Sequence, residues 1–438
     1  MNSRFSRRSV LAAAAAGSAA ATFGKSSVFA APSLIQSGPT EVVLWSALSG
    51  ALQDTIQTVV ETFNASQTDI VVVNQFQGNY DEAAQKLTAA IPANTAPEIA
   101  HLSEIWWFKF FLAQALEPLD AYIARDNVDT ADYVASLLNE GNRMGQQWWM
   151  PWARSTPLFY YNKTVFSDAG MPDGPKTWEE LREIAPSLTI KDGDTMTRAG
   201  FGLNSIGDAW GFQGMIWAYG GRYSDDDFNM MINQDAGVEA GEFYKSGIVE
   251  GWAGLTIDAG AEFVNQLVAS AIMSTGGMRS ILANTSEFEV GAAFMPEGPA
   301  GFGCCTGGSG LSVLAGASQE KKDAAWEFVK YTSTPENTIW WSQNTGYMPV
   351  RISAVESEEM QAFYEANPIF RTAVEQLPKT SPQDPARIYT PNGDSTIRGA
   401  LEKMTIEFAE TRISFDEAAA TLTEDAEPVV EQLAELQG

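Results

Sequence analysis

The sequence predicts an α/β protein of two domains. Apolar, β-rich runs begin near residues 41, 69 and 98, and helical patterns fill the intervals of about 28 residues, the spacing of βαβ units. The chain is 438 residues long with 45% apolar and 11% aromatic side chains, which exceeds one ordinary domain and supplies two sizeable cores. In order, Glu41–Trp45 is the first strand and residues 50–64 the first helix. Asp69–Phe76 is the second strand, Tyr80–Ile91 the second helix and Glu98–Ser103 the third strand. Apolar runs without polar alternation suit a parallel sheet covered on both faces. Further on, Thr177-Trp178-Glu179-Glu180 reads as a capping box, and Ser333-Thr334-Pro335-Glu336 opens a helix that stops near Gly346. The Gly-rich stretches 207–221 and 301–310 read as turns or site loops. Neither has the spacing of a nucleotide-binding loop.

Residues 1–30 differ from the rest. They hold Arg4, Arg7, Arg8 and Lys25, no acid, an alanine-rich stretch from Val10 to Thr22 and small residues near Ala30, the features of a cleaved export signal. Ser6-Arg7-Arg8-Ser9-Val10-Leu11 resembles the twin-arginine type; a general secretory signal is the alternative. No cysteine lies near the cleavage site to carry a lipid. Beyond residue 30 there are 23 basic and 55 acidic side chains, a net charge of −32. That argues against nucleic acid or an anionic membrane as partner and suits a soluble monomer. No later apolar run approaches the roughly 18 to 20 residues of a membrane span. Cys304 and Cys305 are adjacent, where a disulfide would be strained, so both read as free, buried thiols without chemistry.

In open α/β sheets ligands bind beyond the carboxyl ends of the strands. The first strand is followed there by Trp45 and Ser46, the second by Gly78-Asn79-Tyr80, and the third by Glu104, Trp106 and Trp107. A carboxylate accepts from hydroxyls, an aromatic face covers C–H surface and a glycine admits backbone contact, so these types suit a polyhydroxylated ligand. Taken singly, Trp45, Trp106 and Trp107 read as core before they read as a ligand platform.

The ordered motifs Leu44-Trp45-Ser46, Phe63-Asn64-Ala65, Gly78-Asn79-Tyr80, Ala96-Pro97-Glu98-Ile99, Thr156-Pro157-Leu158-Phe159-Tyr160-Tyr161-Asn162-Lys163, Pro175-Lys176-Thr177-Trp178 and Thr345-Gly346-Tyr347-Met348-Pro349-Val350 span nearly the whole chain after the signal. Together they resemble the extracellular solute-binding proteins of carbohydrate ABC importers. The resemblance implies the two-lobe periplasmic binding protein fold of the maltose-binding type, with a hinge between the lobes. It places the first lobe at 39–149 and 300–350 and the second at 150–299 and 351–438, with crossings near 149–153, 295–300 and 348–353. It also implies a periplasmic location, a permease as partner and no cofactor or metal.

Carried over residue by residue, the resemblance implies ligand contacts at Tyr80, Glu104, Ser155, Ser280, Gly307, Gly308, Tyr347 and Arg387, with Arg398 competing for the last role. Trp210 and Trp217 both fall where the family carries an aromatic platform. Arg154 stands where the family has a small neutral residue. It either adds a donor for a phosphate or forms a salt bridge between lobes. The implied ligand is glycerol-3-phosphate, a glycerophosphodiester or a small saccharide.

The only histidine, His101, lies inside the third strand and reads as a buried core residue. A single histidine leaves no multi-histidine metal site and no ordinary triad. A paired-carboxylate glycosidase remains open on composition, but no spacing selects a pair. The expectation is a binding protein rather than an enzyme.

Overall fold

The computed structural model describes residues 38–204, 208–223, 231, 232, 234–379 and scattered positions between 414 and 431. Contacts divide the chain into Met1–Gly38 and Pro39–Gly438, and every element below belongs to the second unit. Its ten main strands are β1 (Thr40–Ser46), β2 (Ile70–Phe76), β3 (Ile99–Ser103), β4 (Met150–Ser155), β5 (Pro157–Asn162), β6 (Phe201–Asn204), β7 (Ala253–Thr256), β8 (Ser270–Ser274), β9 (Val290–Ala293) and β10 (Gly307–Val313). They form two five-stranded sheets, ordered β2-β1-β3-β10-β4 and β7-β6-β8-β5-β9. The architecture is the expected two-lobe α/β fold.

The first two strand–helix pairs and the third strand follow the sequence reading. The helix Ala51–Ser66 buries Ile56, Val59, Val60 and Phe63 at helical spacing. Phe63 meets Phe328 edge-on with ring centroids 5.3 Å apart, so a helix from far along the chain, Gln319–Thr332, closes the same core. The sheet is not parallel throughout, as the sequence reading expected. β1 runs parallel to β2 and β3, but β10 is antiparallel to both β3 and β4. β3 is buried along its whole length, whereas β2 is an edge strand ending in exposed Gln75 and Phe76. The long-range strand β10 completes what local βαβ spacing begins, and such a partner leaves no periodic signal.

The chain changes sheet at Thr156, between β4 and β5, a few residues after the expected crossing at 149–153. Thr177 does cap its helix, accepting from Glu180 N at 3.1 Å, but the Glu180 carboxylate accepts from Lys176 N rather than from Thr177. Thr334 caps Pro335–Asn344 as expected. The Gly-rich reading is corrected twice. Asp208–Ala218 is a helix, and residues 307–310 begin β10. The helical glycine Gly214 lets two chains approach: a Cβ on it would lie 3.0 Å from Gly303 O. Cys304 and Cys305 are buried, and neither is in a disulfide.

Candidate functional site

The turn Gly78-Asn79-Tyr80 follows β2 and is fixed by its own chemistry. Gly78 has φ 105°, and a Cβ there would sit 1.8 Å from Glu82 Oε2. Asn79 Oδ1 accepts from the N–H groups of Asp81 and Glu82 at 3.0 and 2.9 Å, and Glu82 Oε2 accepts from Asn79 N at 3.0 Å. This reciprocal cap sets Tyr80 at the first helical position. Its hydroxyl donates to Ser309 Oγ at 2.8 Å, and His101 Nε2 lies 2.5 Å from the same oxygen.

Tyr347 adjoins Tyr80 and feels the charges of Glu104 and Arg154. It stacks on Trp341 at 5.9 Å with the rings 17° apart. Burial pushes Tyr347 up to about 12 and Tyr80 well above its ordinary value. Both phenols therefore keep their protons at neutral pH and can donate hydrogen bonds. Glu104 follows β3, is buried, and anchors its backbone by donating to Gly308 O at 3.1 Å.

Arg154 lies on β4 and is fully buried. One guanidinium nitrogen pairs with the Glu140 carboxylate, which also accepts from Thr306 Oγ1 at 2.9 Å. The guanidinium covers Trp149 with 4.7 Å to the ring centroid. Its Nε and Nη1 have no hydrogen-bond partner among the described residues. Ser155 ends the same strand opposite Gly307, and Arg154 lies opposite Gly308. Gly308 has φ 93°, and a Cβ on it would fall 2.0 Å from Ala153 O, so only glycine fits.

From the helix Asp208–Ala218, Trp210 reaches this strand. A Cβ on Gly307 would sit 2.5 Å from its ring, and Trp210 Nε1 donates to Thr306 O at 2.9 Å. Trp210 also borders an open cavity of about 800 Å³ with Ile257, Ile272, Met273, Ser280 and Asn284. Ser280 is exposed there on the helix Met278–Asn284. Trp217, two turns along from Trp210, is buried against Cys305 instead. Tyr347 packs on Gly276, where a Cβ would lie 2.6 Å from its Cζ.

The structure thus gathers Tyr80, Glu104, Arg154 and Tyr347 into one electrostatic group. Ser155, Gly307, Gly308 and Trp210 lie beside it, Ser280 lines the adjoining cavity and Trp217 sits in the core. Arg387 and Arg398 lie outside the described residues. Trp106 and Trp107 are core, while partly buried Trp45 donates to Gln75 Oε1 at 3.1 Å. Sequence reading missed Ser309 and Glu140. Ser309 sits inside the Gly307–Gly310 run, which was read for its backbone alone. Nothing in sequence marks Glu140 as the partner of a cation on β4.

A serine against a histidine resembles a nucleophile and its base, but this pair is built differently. Ser309 is fully buried, and its Oγ already takes part in the Tyr80 bond. His101 Nδ1 has no hydrogen-bond partner among the described residues, so no carboxylate among them orients the ring. Burial lowers His101 to about 3, which makes it a poor base. Among the described residues no group of three or more His, Cys, Asp or Glu could hold a metal ion.

Comparison with known proteins agrees with this fold. Residues 49–339 match the bacterial extracellular solute-binding protein family. The chain is 28% identical over 365 residues to the sn-glycerol-3-phosphate-binding periplasmic protein UgpB of Yersinia pestis bv. Antiqua, covering 77% of this chain and 80% of that protein. It is 35% identical to UgpB from Mycobacterium tuberculosis, solved in complex with glycerophosphocholine, with a TM-score of 0.81 over 90% of this chain and 99% of that one. It is 26% identical to the cyclic alpha-maltosyl-1,6-maltose binding protein from Arthrobacter globiformis, with a TM-score of 0.75 over 90% and 100% of the two chains. These relatives are binding proteins rather than enzymes. The chain belongs to the bacterial extracellular solute-binding protein family and is the ligand-binding component of an ABC importer.

Proposed function

We propose that this protein captures glycerol-3-phosphate or a glycerophosphodiester and hands it to its permease. The observation that carries the reading is Arg154: a fully buried guanidinium, within electrostatic reach of Tyr347, with Nε and Nη1 lacking hydrogen-bond partners among the described residues. Phosphate oxygens would satisfy such a donor set with charge-assisted bonds. The phenols of Tyr80 and Tyr347 add neutral donors, and Glu104 would accept from glycerol hydroxyls. The UgpB relatives support the same ligand class. Long-range repulsion from the acidic surface is screened beyond about 8 Å at physiological salt, so local donors govern capture.

A second reading, a mono- or oligosaccharide ligand, is favoured by Trp210 at the rim of the roomy cavity with Ser280 and Asn284. A thermal-shift screen against glycerol-3-phosphate, glycerophosphocholine and a sugar panel separates the two. In either case we expect a periplasmic monomer without turnover or cofactor, exported by a twin-arginine-type signal cleaved near Ala30. The two lobes would close on ligand about their crossings.

A further inference from the structure

Gln376 joins the two passages by which the chain moves between the sheets. The first passage is Thr156–Pro157, from β4 in one sheet to β5 in the other. The second runs from the end of β9 through Met295 and Cys304 to β10. Gln376 belongs to neither. It ends the helix Pro368–Gln376 and is fully buried. Its Nε2 donates to Pro157 O at 2.8 Å, with Cys304 Sγ at 3.0 Å and Thr156 Oγ1 at 3.3 Å also within reach. Its Oε1 accepts from Met295 N at 2.6 Å. The amide has two hydrogens, so one serves Pro157 O while Cys304 and Thr156 compete for the other.

Any rotation of one sheet against the other must be absorbed by backbone torsions in these passages. A side chain bonded to both couples those torsions. We propose that Gln376 is a positioning residue of the hinge: it fixes the two passages relative to each other, and so sets the balance between open and closed lobes on which ligand affinity depends. No other residue type of similar size both donates to a carbonyl and accepts from an N–H while remaining neutral at all pH values. Its removal leaves Pro157 O and Met295 N–H without this buried partner. The proposal does not depend on which ligand is bound.

The test compares the wild-type chain with Gln376→Met, which keeps the volume and removes the amide. Spin labels at exposed positions, Glu61→Cys and Glu239→Cys, report the distance between the lobes, while the native thiols are buried. The expected result is a shifted or broadened distance distribution in the ligand-free variant and a roughly tenfold change in the dissociation constant for glycerophosphocholine. If Gln376→Met does not fold, Gln376→Glu, which keeps the acceptor for Met295 N–H, gives the same readouts. A lowered melting temperature with an unchanged distance distribution overturns the proposal and makes Gln376 a core residue only. Failure of wild type to bind glycerophosphocholine sinks the ligand reading instead, and the ligand-free distances still decide the hinge.

Discussion

Arg154 and Glu140 form an ion pair sealed from solvent on the side of β4, with side-chain exposures of 0% and 8%. The pair is therefore not a surface bridge, and it lies beside one sheet rather than tying the two sheets together. One guanidinium nitrogen is spent on structure, and under the proposed function Nε and Nη1, which have no hydrogen-bond partner among the described residues, would serve the ligand.

This division of labour can be separated by mutation. Arg154→Met leaves the Glu140 carboxylate buried without its guanidinium, a change that costs about 3–5 kcal/mol in comparable pairs. Adding Glu140→Gln is expected to restore most of that stability in urea unfolding. Calorimetric binding of glycerophosphocholine should stay lost in the double variant.

The glycines of β10 respond differently from one another. Gly308→Ala meets both a left-handed φ and the Ala153 carbonyl, so it should destabilise by about 2 kcal/mol or more, read as a lower melting temperature. Gly307→Ala instead pushes on the Trp210 ring. Its expected effect is a larger loss of ligand affinity than of stability.

Tyr80→Phe removes the donor to Ser309 Oγ and should cost about 1 kcal/mol of stability. The stacked pair Tyr347 and Trp341 remains, so tryptophan fluorescence of the folded variant should match wild type. Ligand affinity should fall further, because Tyr80 faces Tyr347 at the centre of the charged group.

Burial lowers His101 to about 3 from 6.5. The unfolded chain therefore takes up a proton that the folded chain refuses. This residue leaves stability unaffected above about pH 6.5 and reduces it as pH falls from there toward 3, by up to about 1.4 kcal/mol per unit. His101→Gln keeps a neutral partner for Ser309, and its unfolding free energy should fall less steeply across that window.

The sequence was most informative where structure is local. The runs at 41–45 and 69–76, the helices between them and the Thr334 cap are all set by spacing and capping within a few residues. Gly78-Asn79-Tyr80 was legible as a motif, and its cap shows why: the glycine makes room for Glu82 and the asparagine holds the first turn. What sequence did not show depends on distant partners. β10 pairs antiparallel with β3 across some two hundred residues. The glycines at 211 and 214 looked like loop residues, and the use of Gly214, close approach of Gly303 to a helix, is invisible locally. Arg154 stood out as a cation among aromatics, but its partner Glu140 is chosen by the sheet. Trp210 and Trp217 could not be ranked from sequence: seven residues apart they share one helix face, and they differ only in what the fold sets against each, Gly307 and the cavity for Trp210 and buried Cys305 for Trp217.

Isothermal titration of the purified chain with glycerophosphocholine, glycerol-3-phosphate and a disaccharide, repeated on Arg154→Met with Glu140→Gln, tests the central claim most directly. Heat of binding is expected from the phosphate esters alone in wild type and none in the double variant. Saturable binding of the disaccharide alone, or phosphate-ester binding unchanged by loss of Arg154, would contradict it.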